Sequence, residues 1–220
     1  MQLAGNGSIE PDYLKEYYGL VPIVLGVTGH RNLVAGQIPI IAALATSELK
    51  KIRAQYSESP LVLLSGLAEG ADRIVARCAL DLKIPVIAVL ALPQSEFEQD
   101  FSSTESIVEF RELLGKCRFV REAAPSATPR PECYVAVGEW IVRHCNLLIA
   151  VWDGIHSDKP GGTCAVKDAC LNGETSDYKN SPRPNMPDTN PVIHIKCARS
   201  GPGAGQAFKP SAIPELTWLW

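Results

Sequence analysis

The sequence predicts an α/β fold in which a doubly wound, mostly parallel sheet carries helices on both faces. Two observations favour this fold. Short apolar runs rich in Val, Ile and Leu lack the alternation of a half-exposed strand, as expected of strands covered on both faces. Segments with helical spacing of apolar residues separate these runs along the chain. The composition, 46% hydrophobic and 20% charged over 220 residues, is typical of a globular protein.

The apolar runs are the predicted strands. Each is short and continuous, which is the pattern of a strand buried on both sides. The last of them is shorter and richer in β-branched residues. The predicted strands are 21–27, 60–65, 84–91, 146–152 and 192–197, with 118–121 as a weak additional candidate.

The segments between the strands predict helices. The segment 38–56 has Pro39 near its start, a favoured first-turn position, and basic residues toward its end. Because strand–helix–strand crossovers are right-handed, the loops that follow the strands meet along one edge of the sheet, and ligands of such sheets bind there. The predicted helices are 38–56, 70–82, 105–114, 133–145 and 164–172.

The chain divides into an extension, a domain and a tail. Residues 1–20 form an N-terminal extension, and 21–197 form one α/β domain. Within it, 173–191 carry four prolines and few apolar residues, which predicts a flexible loop before the last strand. The C-terminal tail, 198–220, ends in the apolar LTWLW. We expect this end either to dock on the domain or to lead to a further domain in a longer natural chain.

The charge and the cysteine content limit the expected binding partners and the expected cellular compartment. The net charge of −3 shows no excess of basic residues of the kind that binds nucleic acid, so we expect no nucleic acid as a partner. The first residues lack a signal-peptide pattern, and the longest apolar stretch, 84–92, is too short for a membrane span, which predicts a cytoplasmic protein. The seven cysteines have no C-x-x-C spacing and predict buried thiols. Neither a metal nor a cofactor is expected.

The first candidate site is GVTGHRN, at the end of the first predicted strand. Thr28 and Gly29 offer a hydroxyl and backbone amides, and Arg31 can hold a phosphate or carboxylate through two hydrogen bonds. His30 has three interpretations, which the sequence leaves open: a general acid or base, a ligand contact, or a structural histidine. The segment is therefore a candidate anion receptor, with catalysis as an alternative.

The second candidate site is SGLAEGAD, between the second strand and its helix. Gly66 and Gly70 permit a tight turn and close approach of a ligand, and the first-turn amides of a helix form an anion site. With Ser65 and Glu69 they predict a phosphate-binding loop. The alternative is a plain strand-to-helix turn in which Asp72 stabilises the first helical turn.

The third candidate site joins WDG, after the strand at 146–152, to the later KPGGT. Asp153 can accept hydrogen bonds from ribose hydroxyls, or serve only as a turn or cap residue. Gly161, Gly162 and Thr163 begin a helix and can contact a phosphate or a ribose. Gly154, directly after Asp153, is also predicted to contact the ligand. Two glycine-rich loops beside the TGHR segment predict one shared site for a ligand of nucleotide size.

A pair of carboxylates forms the last candidate. Glu96 and Asp100 follow the third predicted strand and are four residues apart, which places them on one face if a helix forms. Paired carboxylates suit acid–base chemistry. A solvated helix face is the equally favoured interpretation.

The motifs GVTGHR, SGLAEGAD and AVWDG…GGT resemble those of the SLOG superfamily of Rossmann-like domains. The superfamily groups the DNA-processing protein A family, the LOG phosphoribohydrolases, and ligand-sensing domains of prokaryotic defence systems and melastatin-type channels. With LP..EFEQDF and LLIAVWDG, the chain looks most similar to the sensor-type branch. This resemblance implies a nucleotide or nucleotide-derived ligand, such as an ADP-ribose-like or cyclic species.

Departures from the LOG motif distinguish between the branches. LOG enzymes carry PGG.GT..E, whose glutamate supports N-glycosidic cleavage, whereas this chain has PGGTCAVKDA, with Val166 or Lys167 near that position. The resemblance therefore implies a sensor that binds without turnover and controls an effector domain or a homo-oligomer. Two alternatives stay open: a nucleotide N-glycosidase that uses Glu69 or Glu96, and a single-stranded DNA-binding protein, which the acidic net charge disfavours.

Overall fold

The computed structural model describes residues 20–125, 128–173, 189–201, 209 and 212–220. The proposed N-terminal extension therefore lies outside the described residues, except for Leu20, and so does 174–188 of the proposed flexible loop. In the described part of the chain, none of the helices combines the length and the apolar character that a membrane crossing requires.

Within the described residues, seven strands form one sheet in the order β4-β3-β2-β1-β5-β6-β7. The first six pair in parallel, and β7 is antiparallel to β6. The predicted mostly parallel sheet is confirmed, and the weak candidate at 118–121 is a strand. The bounds are β1 Ile23–Gly29, β2 Leu61–Ser65, β3 Val86–Leu90, β4 Phe119–Glu122, β5 Leu147–Trp152, β6 Val192–Lys196 and β7 Glu215–Leu219.

Helices connect the parallel strands. Pro39 lies in the first turn of α1, and Ser103 caps α4 by accepting a hydrogen bond from the Ser106 N–H at 3.2 Å. Each of the five predicted helices is present, and α3 is an additional single turn. In the described residues the α-helices are α1 Ile38–Gln55, α2 Ala71–Asp81, α3 Gln94–Phe97, α4 Thr104–Lys116, α5 Arg130–His144 and α6 Thr163–Asn172.

The core lies in two layers, one on each face of the sheet. All of β5 is buried, and its successive side chains point to opposite faces. Ile149 belongs to the layer that contains apolar residues of α1, α2 and α4, whereas Leu148 belongs to the layer that contains those of α5 and α6. Helices on both faces are therefore confirmed. The seven cysteines are all free, and each is buried except the half-buried Cys117.

The end of the C-terminal tail forms the edge strand β7. Its backbone pairs with β6 over five residues, with Trp218 opposite Ile193. Leu216 and Trp218 pack against the larger core layer, whereas the neighbouring Glu215 and Thr217 are exposed. This alternation is that of a half-buried antiparallel strand. The apolar LTWLW segment therefore docks on the domain, and the further domain stays a prediction.

The order of the strands reverses at β1, which lies between β2 and β5. Strands β2, β3 and β4 lie on one side of β1. The chain then crosses to the other side of β1, where it forms β5. A crevice forms outside the carboxyl ends of two strands at such a point, because their connections leave on opposite faces. The tips of β1 and β5 are joined by a hydrogen bond from the His30 N–H to the Val151 carbonyl at 3.0 Å.

Candidate functional site

A cleft of about 800 Å³ opens at the carboxyl edge of the sheet, beside β1 and β5. The loops after β1, β2, β5 and β6 and the start of α5 form its walls. This volume suits a ligand of nucleotide size. Nine of the residues predicted from the sequence line the cleft: Thr28, Gly29, His30, Arg31, Gly66, Asp153, Gly161, Gly162 and Thr163.

The remaining predicted residues lie outside the lining of this cleft. Ser65 is fully buried, and its Oγ accepts the Leu67 N–H at 3.1 Å and donates to the Asp72 carbonyl at 3.3 Å. These hydrogen bonds hold the loop between β2 and α2 in shape. The side chain of Glu96 lies on the exposed surface of α3. The residues outside the lining are Ser65, Glu69, Gly70, Gly154 and Glu96.

Glu69 lies in a separate depression beside the start of α4. Its Oε1 accepts hydrogen bonds from the Ser102 N–H at 2.9 Å, from the Ser102 hydroxyl at 2.7 Å and from the Ser106 hydroxyl. Partial burial acts to raise the pKa of Glu69, but the hydrogen bonds from Ser106 and Ser102 outweigh it and lower that pKa. The carboxylate therefore stays ionised and joins the β2–α2 loop to α4.

Gly70 brings the β2–α2 loop into contact with the tip of β1. Its φ of +79° and ψ of −121° lie in a region that glycine alone adopts readily. A Cβ at this position would lie 2.3 Å from the carbonyl oxygen of Arg31 and 2.5 Å from that of His30. The requirement for glycine here comes from close approach between two protein loops.

His30 and Asp153 contact each other across the point where the strand order reverses. The Asp153 N–H donates to Nε2 of His30 at 3.2 Å, and Oδ1 of Asp153 lies 3.2 Å from the same nitrogen. Burial lowers the pKa of His30, and the neighbouring Asp153 opposes this shift without cancelling it. The imidazole ring of His30 is therefore neutral near pH 7.

The carboxylate of Asp153 is buried, with 1% of the residue exposed, yet it lines the cleft. Its Oδ1 accepts the Ile155 N–H at 3.0 Å. Among the described residues, Oδ2 has no hydrogen-bond partner, although Nε of Arg199 lies 3.5 Å away in an ion pair. A buried carboxylate oxygen without a donor is costly, so this atom is a place where a ligand hydroxyl is expected to donate.

Asp72 is a cleft residue whose position the sequence did not reveal. Only 8% of it is exposed. Burial raises its pKa to about 7, against the opposing effects of a hydrogen bond from the Ala68 amide and of the positive charges of Arg31 and Arg73. A carboxyl group that titrates near neutral pH inside a cleft is typical of functional sites. The sequence suggested only a stabiliser of the first helical turn.

Several backbone amides of the β2–α2 loop and the start of α2 are paired within the protein. Those of Ala68 and Gly66 donate to the Asp72 carboxylate, and that of Ala71 donates to the His30 carbonyl at 3.1 Å. A phosphate that used these amides would have to displace protein acceptors. The anion-binding role that the sequence predicts for this loop therefore stays a prediction.

The start of α6 is an uncapped helix terminus at the cleft. Gly162 is its N-cap and has no side chain that could accept a hydrogen bond from the first-turn amides. Gly161 has a φ of +68°, and a Cβ on it would lie 3.1 Å from backbone atoms of Val135 on α5. Because Gly161, Gly162 and Thr163 line the cleft, the positive end of the α6 dipole is available to an anion.

Four cationic side chains line the cleft: Arg31, Arg130, Lys159 and Arg199. The guanidinium of the exposed Arg31 lies 5.3 Å from the ring centre of Tyr134, and Arg130 pairs with Asp100. The sequence did not indicate Lys159 or Arg199 as site residues. Arg199 shortly follows the carboxyl end of β6, and this placement is the signal that would have found it.

No protein-family model and no curated protein matches the chain. Among solved structures, the chain is similar to the X-ray structure of DNA processing protein A from Streptococcus pneumoniae, with 19% identity and a TM-score of 0.42. The match covers 65% of this chain and 54% of the other, so it spans about half of that protein. A likeness of this extent carries no information about function.

Proposed function

We propose that this chain is a SLOG-type sensor domain that binds a nucleotide or nucleotide-derived signal in the cleft beside β1 and β5. The ligand would be an ADP-ribose-like or cyclic species, and binding would control an attached effector domain or a homo-oligomer, as in sensor domains of prokaryotic defence. One observation carries the proposal. A buried carboxylate oxygen without a hydrogen-bond donor and an uncapped helix terminus line the same cleft.

The carboxylate supports recognition of a sugar. Oδ2 of Asp153 can accept a hydrogen bond from a ribose hydroxyl, while Oδ1 stays bound to the Ile155 N–H at 3.0 Å. An acidic residue at the tip of a parallel strand is the usual partner of a ribose in doubly wound sheets. The proposed sugar position is therefore beside β5.

The helix terminus and the cleft cations support recognition of phosphate. The first-turn amides of α6 offer hydrogen-bond donors, and the helix dipole adds partial positive charge. Arg31 and Lys159 line the same cleft and can pair with phosphate oxygens. Asp100, which would repel an anion, is neutralised by Arg130. The charge distribution fits an anionic ligand with a polar sugar.

Thermal unfolding in the presence of a nucleotide panel tests the proposal. The panel holds AMP, ADP, ADP-ribose, NAD, and cyclic mono- and dinucleotides. A ligand that binds the folded state raises its stability by about 2.7 kcal/mol at a hundredfold excess over Kd, and the Tm rises with it. Asp153→Asn should weaken the best ligand about 10-fold or more, because the hydrogen bond to a charged acceptor is lost. Asp81→Asn, on the exposed end of α2, is the matched control.

Two results would count against the sensor proposal. One is the absence of any shift in Tm across the whole panel. The other is an equal loss of affinity in the Asp153 and Asp81 variants, since a specific contact beside β5 predicts a loss only in the first.

Asp72 favours a second candidate function, a nucleotide N-glycosidase. Its pKa of about 7 would allow proton transfer to a leaving base, and it lies in the cleft, whereas Glu69 and Glu96 do not line it. Incubation with AMP or NAD, followed by chromatography for released base, tests this activity. Release that disappears in Asp72→Asn and persists in Glu69→Gln would establish the enzyme and contradict binding without turnover.

A further inference from the structure

We propose that His156, Cys164 and Asp168 form a binding site for a zinc-class divalent metal ion at the margin of the cleft. One ligand atom from each residue lies within 4.8 Å of the other two. The metal site does not depend on the proposed nucleotide function, because the chain itself supplies all three metal ligands.

The distances fit tetrahedral zinc. Nδ1 of His156 lies 3.4 Å from Sγ of Cys164, and Oδ2 of Asp168 also lies 3.4 Å from that sulfur. Zinc bonds of about 2.3 Å to sulfur and about 2.0–2.2 Å to nitrogen or oxygen separate two tetrahedral ligands by about 3.5 Å. A metal ion can therefore sit between the three donors with little movement of the side chains.

The local structure explains why the donors converge. Cys164 and Asp168 are four residues apart in α6, so their side chains project from the same face of the helix. His156 reaches the sulfur from the loop between β5 and α6. The site thus joins the first turns of α6 to the loop that precedes it.

Neighbouring groups hold each donor in the orientation that a metal requires. Nε2 of His156, the nitrogen that would not bind the metal, lies 3.1 Å from Oδ1 of Asp158. Lys167 pairs with Oδ1 of Asp168 and leaves Oδ2 to the sulfur. The Ser157 N–H donates to the Cys164 sulfur, as backbone amides do to metal-bound thiolates. Such partners fix the ring and carboxylate of metal ligands.

The donor set identifies the class of metal. A thiolate ligand makes the binding of hard ions such as Mg²⁺ and Ca²⁺ unfavourable. Mixed sulfur, nitrogen and oxygen ligands are typical of Zn²⁺ sites. Three protein ligands leave one tetrahedral position for water or another oxygen. His156 and Cys164 line the cleft, so a ligand phosphate could occupy that position. This last consequence rests on the proposed function, and the site itself does not.

Metal titration of the chelator-treated full chain tests the site without any nucleotide. Competition with a chromophoric chelator should show one equivalent of tightly bound Zn²⁺. Bound Co²⁺ should give a near-ultraviolet thiolate charge-transfer band that is lost in Cys164→Ser and kept in Cys117→Ser. His156→Ala, in an exposed loop, and Asp168→Asn should each weaken Zn²⁺ at least 10-fold, whereas His144→Ala should not. Asp158→Asn should weaken it by about 10-fold, through the orientation of the ring.

Several results would overturn the metal site. One is the absence of stoichiometric Zn²⁺ binding to the wild-type chain. Another is a Co²⁺ band that survives in Cys164→Ser or disappears in Cys117→Ser. If Cys164→Ser does not fold, as circular dichroism would show, the His156 and His144 variants decide instead, and equal Zn²⁺ affinity in these two contradicts the proposal.

Discussion

The N–H of Ala71, the first residue of α2, donates to the carbonyl oxygen of His30 at 3.1 Å. This hydrogen bond ties the start of one helix to the tip of β1. The two glycine-containing loops that the sequence singled out, after β1 and after β2, are therefore one packed unit. Their contact depends on Gly70, which has no side chain to separate them.

Gly70→Ala should destabilise the fold. The variant places a Cβ within 2.5 Å of two carbonyl oxygens and forces alanine to a φ of +79°. We expect a loss of about 1–3 kcal/mol in the free energy of unfolding, measured by urea titration. Gly115→Ala, on the exposed face of α4 with no atom near the added Cβ, should instead gain about 0.5 kcal/mol. A Gly70 variant as stable as wild type would refute this packing.

His30 should contribute a loss of stability as the pH drops below 6.5. Burial lowers the pKa of His30 from its ordinary value of 6.5, so the unfolded chain takes up a proton before the folded chain does. His194 has a pKa lowered in the same direction by burial. His30→Gln should therefore show a smaller loss of unfolding free energy between neutral pH and about pH 5, and the double variant with His194→Gln a smaller loss still. An unchanged slope in His30→Gln would contradict the lowered pKa.

Asp72 should have the opposite effect on the pH dependence. Its pKa is raised from 3.8 to about 7, so its contribution to stability is complete below pH 3.8 and is lost as the pH rises through about 7. Asp72→Asn keeps an uncharged side chain at all pH values. The unfolding free energy of this variant, relative to wild type, should rise between about pH 4 and about pH 8. A constant difference across that range would show that the carboxyl group titrates normally.

The edge strand β7 should contribute to stability through Trp218. This side chain packs on the larger core layer, and its backbone lies opposite Ile193. Trp218→Ala should cost about 2 kcal/mol of unfolding free energy, because a partly buried aromatic side chain is lost. Trp220→Ala, at a residue that is 87% exposed, should cost less than about 0.5 kcal/mol. Equal effects of the two substitutions would mean that β7 does not pack as described.

The fold was predictable because buried parallel strands and amphipathic helices leave simple patterns. Continuous apolar runs marked β1, β2, β3 and β5, and helical spacing marked α2. The strand β7 was not identified as such, because its alternation spans only five residues after a Gly- and Pro-rich segment. Pairing along the edge of β6, which the sequence does not encode locally, decides its conformation.

The cleft was only partly predictable, because its geometry depends on contacts between loops. Strand tips and glycines located its walls, including the TGHR segment and Asp153. Sequence spacing could not show that the Asp72 carboxylate accepts hydrogen bonds from amides of the preceding loop. Nor could it show that Glu69 accepts hydrogen bonds from residues at the start of α4. Arg199 enters the cleft because the chain after β6 passes the tip of β1, a tertiary contact.

Calorimetric titration with the nucleotide that gives the largest thermal shift tests the central claim most directly. The comparison is between wild type, Arg31→Ala and Arg118→Ala. Arg31 is exposed in the cleft, where it contacts the Tyr134 ring, whereas Arg118 precedes β4 at the opposite edge of the sheet. We predict that Arg31→Ala loses at least about 10-fold in affinity and that Arg118→Ala binds as wild type does. Wild-type affinity in Arg31→Ala would contradict an anion-binding role for the tip of β1.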